Sequence, residues 1–276
     1  MFVFSNHPQS IWRIMADALN LYRDSISKIW YWQIIFILPT IPLAILNVRI
    51  NPDPSLPFTP SYISFLIAAG LIMLFVLLLG HCFVYARMHA IGTGGDARIK
   101  TCLRIAAKKA PMVFMATMAL ALAISIIVVP TLSLLLKTNN AAIAFFGITI
   151  AYFFTLIVGI LAILYPLFIL INNETILGSL KSSITHMWQN FWRALTLFMF
   201  LSLICAILML IVLVLPSNLI NLAESPEALV TGLLGLLLVY ACTYIFIPPV
   251  FNAILLTLYQ DVRIRKTHPS SPDIIT

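Results

Sequence analysis

Two hydrophobic patterns alternate along the chain. Long apolar runs occupy windows near 29–48, 62–87, 112–136, 142–171, 192–215 and 229–259. Each meets the roughly 20 residues that an α-helix needs to cross a bilayer core about 30 Å thick. Ahead of each successive pair of runs lies a shorter stretch with helical periodicity, apolar on one side and polar on the other.

In the first such stretch Ile11, Trp12, Met15, Leu19, Tyr22 and Ile26 share a face, with Arg13, Asp17, Asn20 and Asp24 opposite. Ile14 and Leu21 depart from that pattern. In the second, Ile99, Cys102, Leu103, Ala106 and Ala110 form an apolar stripe, and Arg98, Lys100, Arg104, Lys108 and Lys109 lie outside it; Ile105 departs. In the third, Ile176, Leu177, Leu180, Ile184, Met187 and Trp188 face one way, and Ser182, Thr185, His186 and Gln189 the other. Each pattern is that of a helix lying in a membrane interface. The chain is therefore expected to be an all-α polytopic membrane protein. Six transmembrane helices and three cytoplasmic interfacial amphipathic helices form a pseudo-threefold repeat, with units near 9–90, 95–171 and 174–262. Residues 1–262 form one transmembrane domain and 263–276 a cytoplasmic tail.

Prolines punctuate the runs: Pro39 and Pro42 in the first, Pro166 in the fourth, Pro248 and Pro249 in the sixth. Each lacks an N–H and predicts a kink, which membranes tolerate where neighbouring groups re-satisfy the freed carbonyls. Gly92, Gly94 and Gly95 predict a tight turn, with Asp96 as the N-cap of the next helix. Asn173 or Glu174 opens the third amphipathic helix, with Ser182 and Ser183 on its surface.

Composition strengthens the membrane reading. The chain is 62% hydrophobic and 9% charged, against about 25% charged in a soluble domain. Of its 16 Lys and Arg residues, fourteen fall in segments on one side when the N-terminus is placed inside, and only Arg49 and Lys137 fall on the other. The positive-inside bias puts both termini in the cytoplasm. The net charge of +7 then points to anionic phospholipid and not to nucleic acid. The N-terminus has no basic residue and no cleavage pattern of a secretory signal. Cys82, Cys102, Cys205 and Cys242 show no paired spacing and read as small apolar residues.

Candidate chemistry is sparse. The fourth window holds no Asp, Glu, Lys, Arg or His and the fifth only Arg193 at its very start, which argues against an ion-coupled pump. His81 lies inside the second window and, with Gln33 and Asn252, forms the set of buried polar candidates; interhelical hydrogen bonding is the default role of such groups. No H-E-x-x-H, nucleophile elbow or phosphate-binding loop occurs, and the scattered histidines give no metal set. The reading is of a protein that is not an enzyme and uses no cofactor.

Two segments carry a resemblance: "LFILINNETILGSLKSSITHMWQNFWRALTLF", Leu167 to Phe198, and "PPVFNAILLTLYQDVRIRKT", Pro248 to Thr267. They resemble the YciC-like bacterial inner-membrane proteins and the related membrane domain attached to some glycerophosphodiester phosphodiesterases. Leu180, Lys181, Ser183, Asn190 and Arg193 match one motif; Tyr259, Asp261 and Arg263 match an aromatic-Asp-x-Arg phrase. Gly178 and Thr185 stand where bulkier apolar residues are usual, and no phosphodiesterase domain lies within the 276 residues. The resemblance implies a multi-pass protein of the bacterial inner membrane linked to envelope integrity, and supplies no catalytic residues.

The function expected from these observations is non-enzymatic: envelope maintenance or the organisation of other membrane proteins. Its interfacial helices would bind anionic lipid through Arg98, Lys100, Arg104, Lys108 and Lys109. The alternative is transport of a lipid or amphipathic small molecule through the bundle.

Overall fold

The computed structural model describes residues 2–38, 60–136, 141–200, 202–203 and 247–266. All the regular structure among them is helical. The helices are α1 (Ile11–Ile37), α2 (Pro60–Gly92), α3 (Ile99–Leu136), α4 (Ala141–Ala162), α5 (Tyr165–Ile171), α6 (Ile176–Gln189), α7 (Phe191–Phe200) and α8 (247–266). Three stretches are long and apolar enough to cross a membrane: Ile63–Gly92, Ile99–Ser133 and Phe145–Ile171. The expected windows near 192–215 and 229–259, and the second half of that near 29–48, lie mostly outside the described residues.

The basic segment is not a separate surface helix. α3 runs unbroken for 38 residues from the basic turn through Pro111 into the apolar run. The buried stripe explains why. Cys102, Ala106, Ala110, Val113 and Ala116 are each at most 1% exposed, and their spacing of three and four continues past the proline. Pro111 itself is exposed. The apolar face expected to meet the bilayer surface therefore packs against the bundle instead. α1 behaves likewise, as one 27-residue helix whose buried stripe is Ile14, Ala18, Leu21, Ser25, Ile29, Gln33 and Phe36. Ile14 and Leu21, the two departures from the amphipathic pattern, are core residues. Trp12 and Leu19, from the expected face, are exposed.

Only the third amphipathic segment stands as a helix of its own. Thr175 caps α6, its Oγ1 accepting from the Gly178 N–H at 3.2 Å. Asn173, an expected start, instead takes a left-handed φ of 58°. Asn190 ends α6 and begins α7. Its Nδ2 donates to the His186 carbonyl at 3.0 Å, and its own carbonyl accepts from the Ala194 N–H at 3.0 Å.

The turn between α2 and α3 has Gly94 at φ 68°, a conformation open to glycine without strain. Asp96 is not the N-cap residue. Its Oδ1 accepts from the Arg98 N–H at 3.0 Å and its Oδ2 from the Thr101 hydroxyl at 3.1 Å, while the Arg98 carbonyl takes the first helical bond, from Cys102.

α2 packs against α1 and α3; α3 also meets α4, α5 and α6. Close approach of α1 and α2 requires Gly80, where an added Cβ would sit 2.9 Å from the Phe36 ring. Residues 2–10 form a strap across one end. The Phe4 N–H donates to the Gly92 carbonyl at 3.1 Å, the Phe2 N–H to Asp24 at 2.6 Å, and the Gln9 N–H to Asp261 of α8 at 2.7 Å. Asp261, with a side chain 1% exposed, also pairs with Arg193 and Arg265, each at 3.1 Å. Both guanidiniums donate in turn to the Gln9 carbonyl. Arg263, the arginine of the sequence phrase, is exposed.

Candidate functional site

A proline break between α4 and α5 faces the proline-bearing start of α8 in the bundle. α4 stops at Ala162 because Pro166 has no N–H to offer that carbonyl; the chain turns through Ile163 and Leu164 and resumes as α5. Ser183 of α6 holds the break closed. Its hydroxyl donates to the Leu161 carbonyl at 2.8 Å and accepts from the Leu164 N–H at 3.2 Å. The sequence pattern put Ser183 on the helix surface; the structure buries it completely. α8, which carries Pro248 and Pro249, lies across from this break.

Between them is a cavity of about 460 Å³. α2 contributes one face at helical spacing, Leu78, His81, Cys82 and Tyr85; α3 contributes Val113; the break contributes Tyr165 and Pro166; α8 contributes Phe251 and Asn252. The size and the apolar lining with a few polar groups suit a small-molecule site. Three polar devices punctuate the wall. His81 Nδ1 lies 3.4 Å from Asn252 Nδ2, so a tautomer with an unprotonated Nδ1 accepts from the amide. The Tyr165 and Thr117 hydroxyls are 2.5 Å apart. Tyr85, 7% exposed, completes the set. Irregular backbone at membrane depth is tolerated where it is enclosed by protein or lines a cavity, and both conditions hold at the 162–166 break.

Of the expected buried polar residues, His81 and Asn252 meet at this cavity. Gln33 is buried on α1, away from it, with no hydrogen-bond partner for its Nε2 among the described residues. The expected lipid-binding residues Arg98, Lys100, Arg104 and Lys108 are exposed and Lys109 is half-buried. Lys100, Arg104 and Lys108 occupy the side of α3 away from Cys102, Ala106 and Ala110, while Arg98 precedes the helix and Lys109 borders the buried stripe. Two further exposed stripes are apolar: Trp12 and Leu19 on α1, and Leu177, Ile184 and Trp188 on α6, with Trp192 following on α7. No three His, Cys, Asp or Glu side chains come together as a metal set among the described residues.

Sequence reasoning missed Tyr85, Tyr165 and Thr117. The first was within reach, since Leu78, His81, Cys82 and Tyr85 recur at i, i+3, i+4 and i+7. The Tyr165–Thr117 contact was not, because it depends on how α3 and α5 pack. Asp261 and Tyr259 were noticed only as a phrase. Tyr259 is buried and its hydroxyl donates to Asn172 Oδ1 at 2.7 Å.

The fold and the cavity define an all-helical chain with membrane-spanning character and a small apolar chamber. Comparison with protein-family models, with curated proteins and with solved structures finds no match.

Proposed function

We propose that this protein is a non-enzymatic integral membrane protein of the YciC-like kind that binds anionic lipid at the cytoplasmic face of the inner membrane. Its role would be to maintain the envelope or to organise other membrane proteins there. The observation that carries this reading is the exposed basic side of α3, Arg98, Lys100, Arg104 and Lys108, rooted on the helix that continues into an apolar span. The exposed Trp12 and Leu19, and Leu177, Ile184 and Trp188, suit head-group depth, where aromatic rings concentrate. Each basic residue near an anionic surface contributes about 1 kcal/mol, screened by salt. Changing Arg98, Lys100, Arg104 and Lys108 together to Gln is expected to weaken binding of the detergent-purified protein to phosphatidylglycerol liposomes by at least tenfold at low salt. The loss should shrink as salt rises. Binding indifferent to both the substitutions and the salt would refute the reading.

A second reading, carriage of a lipid or amphipathic small molecule, is favoured by the chamber between the α4–α5 break and α8. Cys82 lines it and is otherwise buried. In a variant whose other three cysteines are serine, a membrane-soluble alkyl maleimide is expected to label Cys82 faster than a charged one does. Mass spectrometry of the labelled peptide reads the ratio. Equal protection from both reagents would mean a sealed chamber and would remove carriage.

A further inference from the structure

Arg87 is the least compensated charge among the described residues. It is 7% exposed, and no carboxylate of a described residue comes within 4 Å of it; the described ion pairs all involve other cations. A guanidinium has five N–H donors and does not deprotonate in proteins, so burial cannot be relieved by losing the proton. Its only hydrogen bond among the described residues is a long one, from Nη1 to the Tyr31 hydroxyl at 3.4 Å. Its Nε is enclosed with no acceptor among the described residues. The Phe83 ring centroid lies 5.9 Å from Cζ, a modest cation–π contact that leaves the fork of donors unused. An unpaired buried charge of this kind is strongly unfavourable, and no described residue supplies its counter-ion.

The surroundings say which anion. Arg87 lies five residues before the end of α2, beside the segment Trp30–Tyr31–Trp32 of α1. Trp30 is 45% exposed and Tyr31 half-buried. Such aromatic runs sit at the level of lipid head groups, where phosphate is the abundant anion, and an arginine fork matches phosphate oxygens in a bidentate way. Tyr31 adds a hydroxyl donor on the same side. We infer that Arg87 and Tyr31 form a discrete site for one phosphate monoester or diester anion at the α1–α2 seam, separate from the basic side of α3. A phospholipid head group and free phosphate share that chemistry.

Native mass spectrometry of the full-length protein in detergent, titrated with phosphatidylglycerol, separates the sources and the sites. Wild type is expected to retain one phosphatidylglycerol after the others are stripped by collisional activation, and Arg87→Gln to lose it, with at least tenfold weaker binding. Arg87→Lys should recover part of the affinity, because a point charge lacks the fork. The quadruple α3 variant should keep this one lipid while losing the looser ones, so failure of the α3 reading and failure of this site give different results. In the phosphate arm, thermal unfolding is followed with sodium phosphate against sodium chloride of equal ionic strength. A stabilisation by phosphate that vanishes in Arg87→Gln, with lipid retention unchanged, assigns the site to free phosphate. Should Arg87→Gln fail to fold, Tyr31→Phe is the second probe, with several-fold weaker retention expected. Retention and phosphate response both unchanged in whichever variant folds overturn the inference.

Discussion

Ser183 carries two hydrogen bonds that no backbone group supplies. Its single hydroxyl serves the Leu161 carbonyl and the Leu164 N–H across the break between α4 and α5, and the residue has no exposed surface. Alanine there would leave a buried acceptor and a buried donor unpaired, each costing about 1–3 kcal/mol. Ser183→Ala is therefore expected to lower the unfolding midpoint in detergent, and Ser183→Thr, which keeps the hydroxyl, to lower it less unless the extra methyl clashes. A wild-type midpoint in Ser183→Ala would show that the break holds without it. Small residues recur at such contacts: Ala18, Ser25, Ala106, Ala110 and Ser179 are all buried where helices meet. Closely approaching backbones favour this pattern in membrane bundles.

At the scale of the element, the amphipathic segments show why periodicity was read correctly and oriented wrongly. A helix at a membrane surface has three environments, protein, lipid and water, and polarity separates only the last from the other two. Trp12 and Leu19 on one side and Ile14 and Leu21 on another are equally apolar, yet the first pair is exposed and the second is core. The sequence clue was size. Ala18 and Ser25 line the buried side of α1, and Cys102, Ala106 and Ala110 that of α3. The strap of residues 2–10 was not legible at all, since it has no periodicity and its anchors lie far along the chain. Asp261 is its main anchor, so Asp261→Asn would leave Arg193 and Arg265 facing a neutral amide in a buried place. The expected cost is about 3–5 kcal/mol, typical of breaking a buried pair from one side. Limited proteolysis should then cut between residues 2 and 10 before anywhere in α2. A strap as resistant as in wild type would mean that Phe4 and Gly92 suffice to hold it.

For the whole molecule, the membrane character and three of the apolar windows were readable in advance because they follow from length and hydropathy alone: 62–87, 112–136 and 142–171 overlap the three span-length stretches to within a few residues at one end. The chamber was readable only in pieces. His81 and Asn252 stood out separately as polar residues in apolar runs, and Pro166 and Pro248 as expected kinks. That these four line one space depends on packing between positions as far apart as 171 residues, which no local pattern encodes. The same holds for Arg193, whose partner is set by the docking of α8.

The link between Gln9 and Asp261 spans 252 residues. At synthesis rates of about 5–20 residues per second, the first helix waits about 10–50 s after it emerges before its clasp exists. Until then the Gln9 end of the strap lacks its contact with Asp261, while Phe2 and Phe4 can already meet Asp24 and Gly92. The last helix thus closes a clasp on the first segment made, and an interrupted translation product would lack the fastening at Gln9.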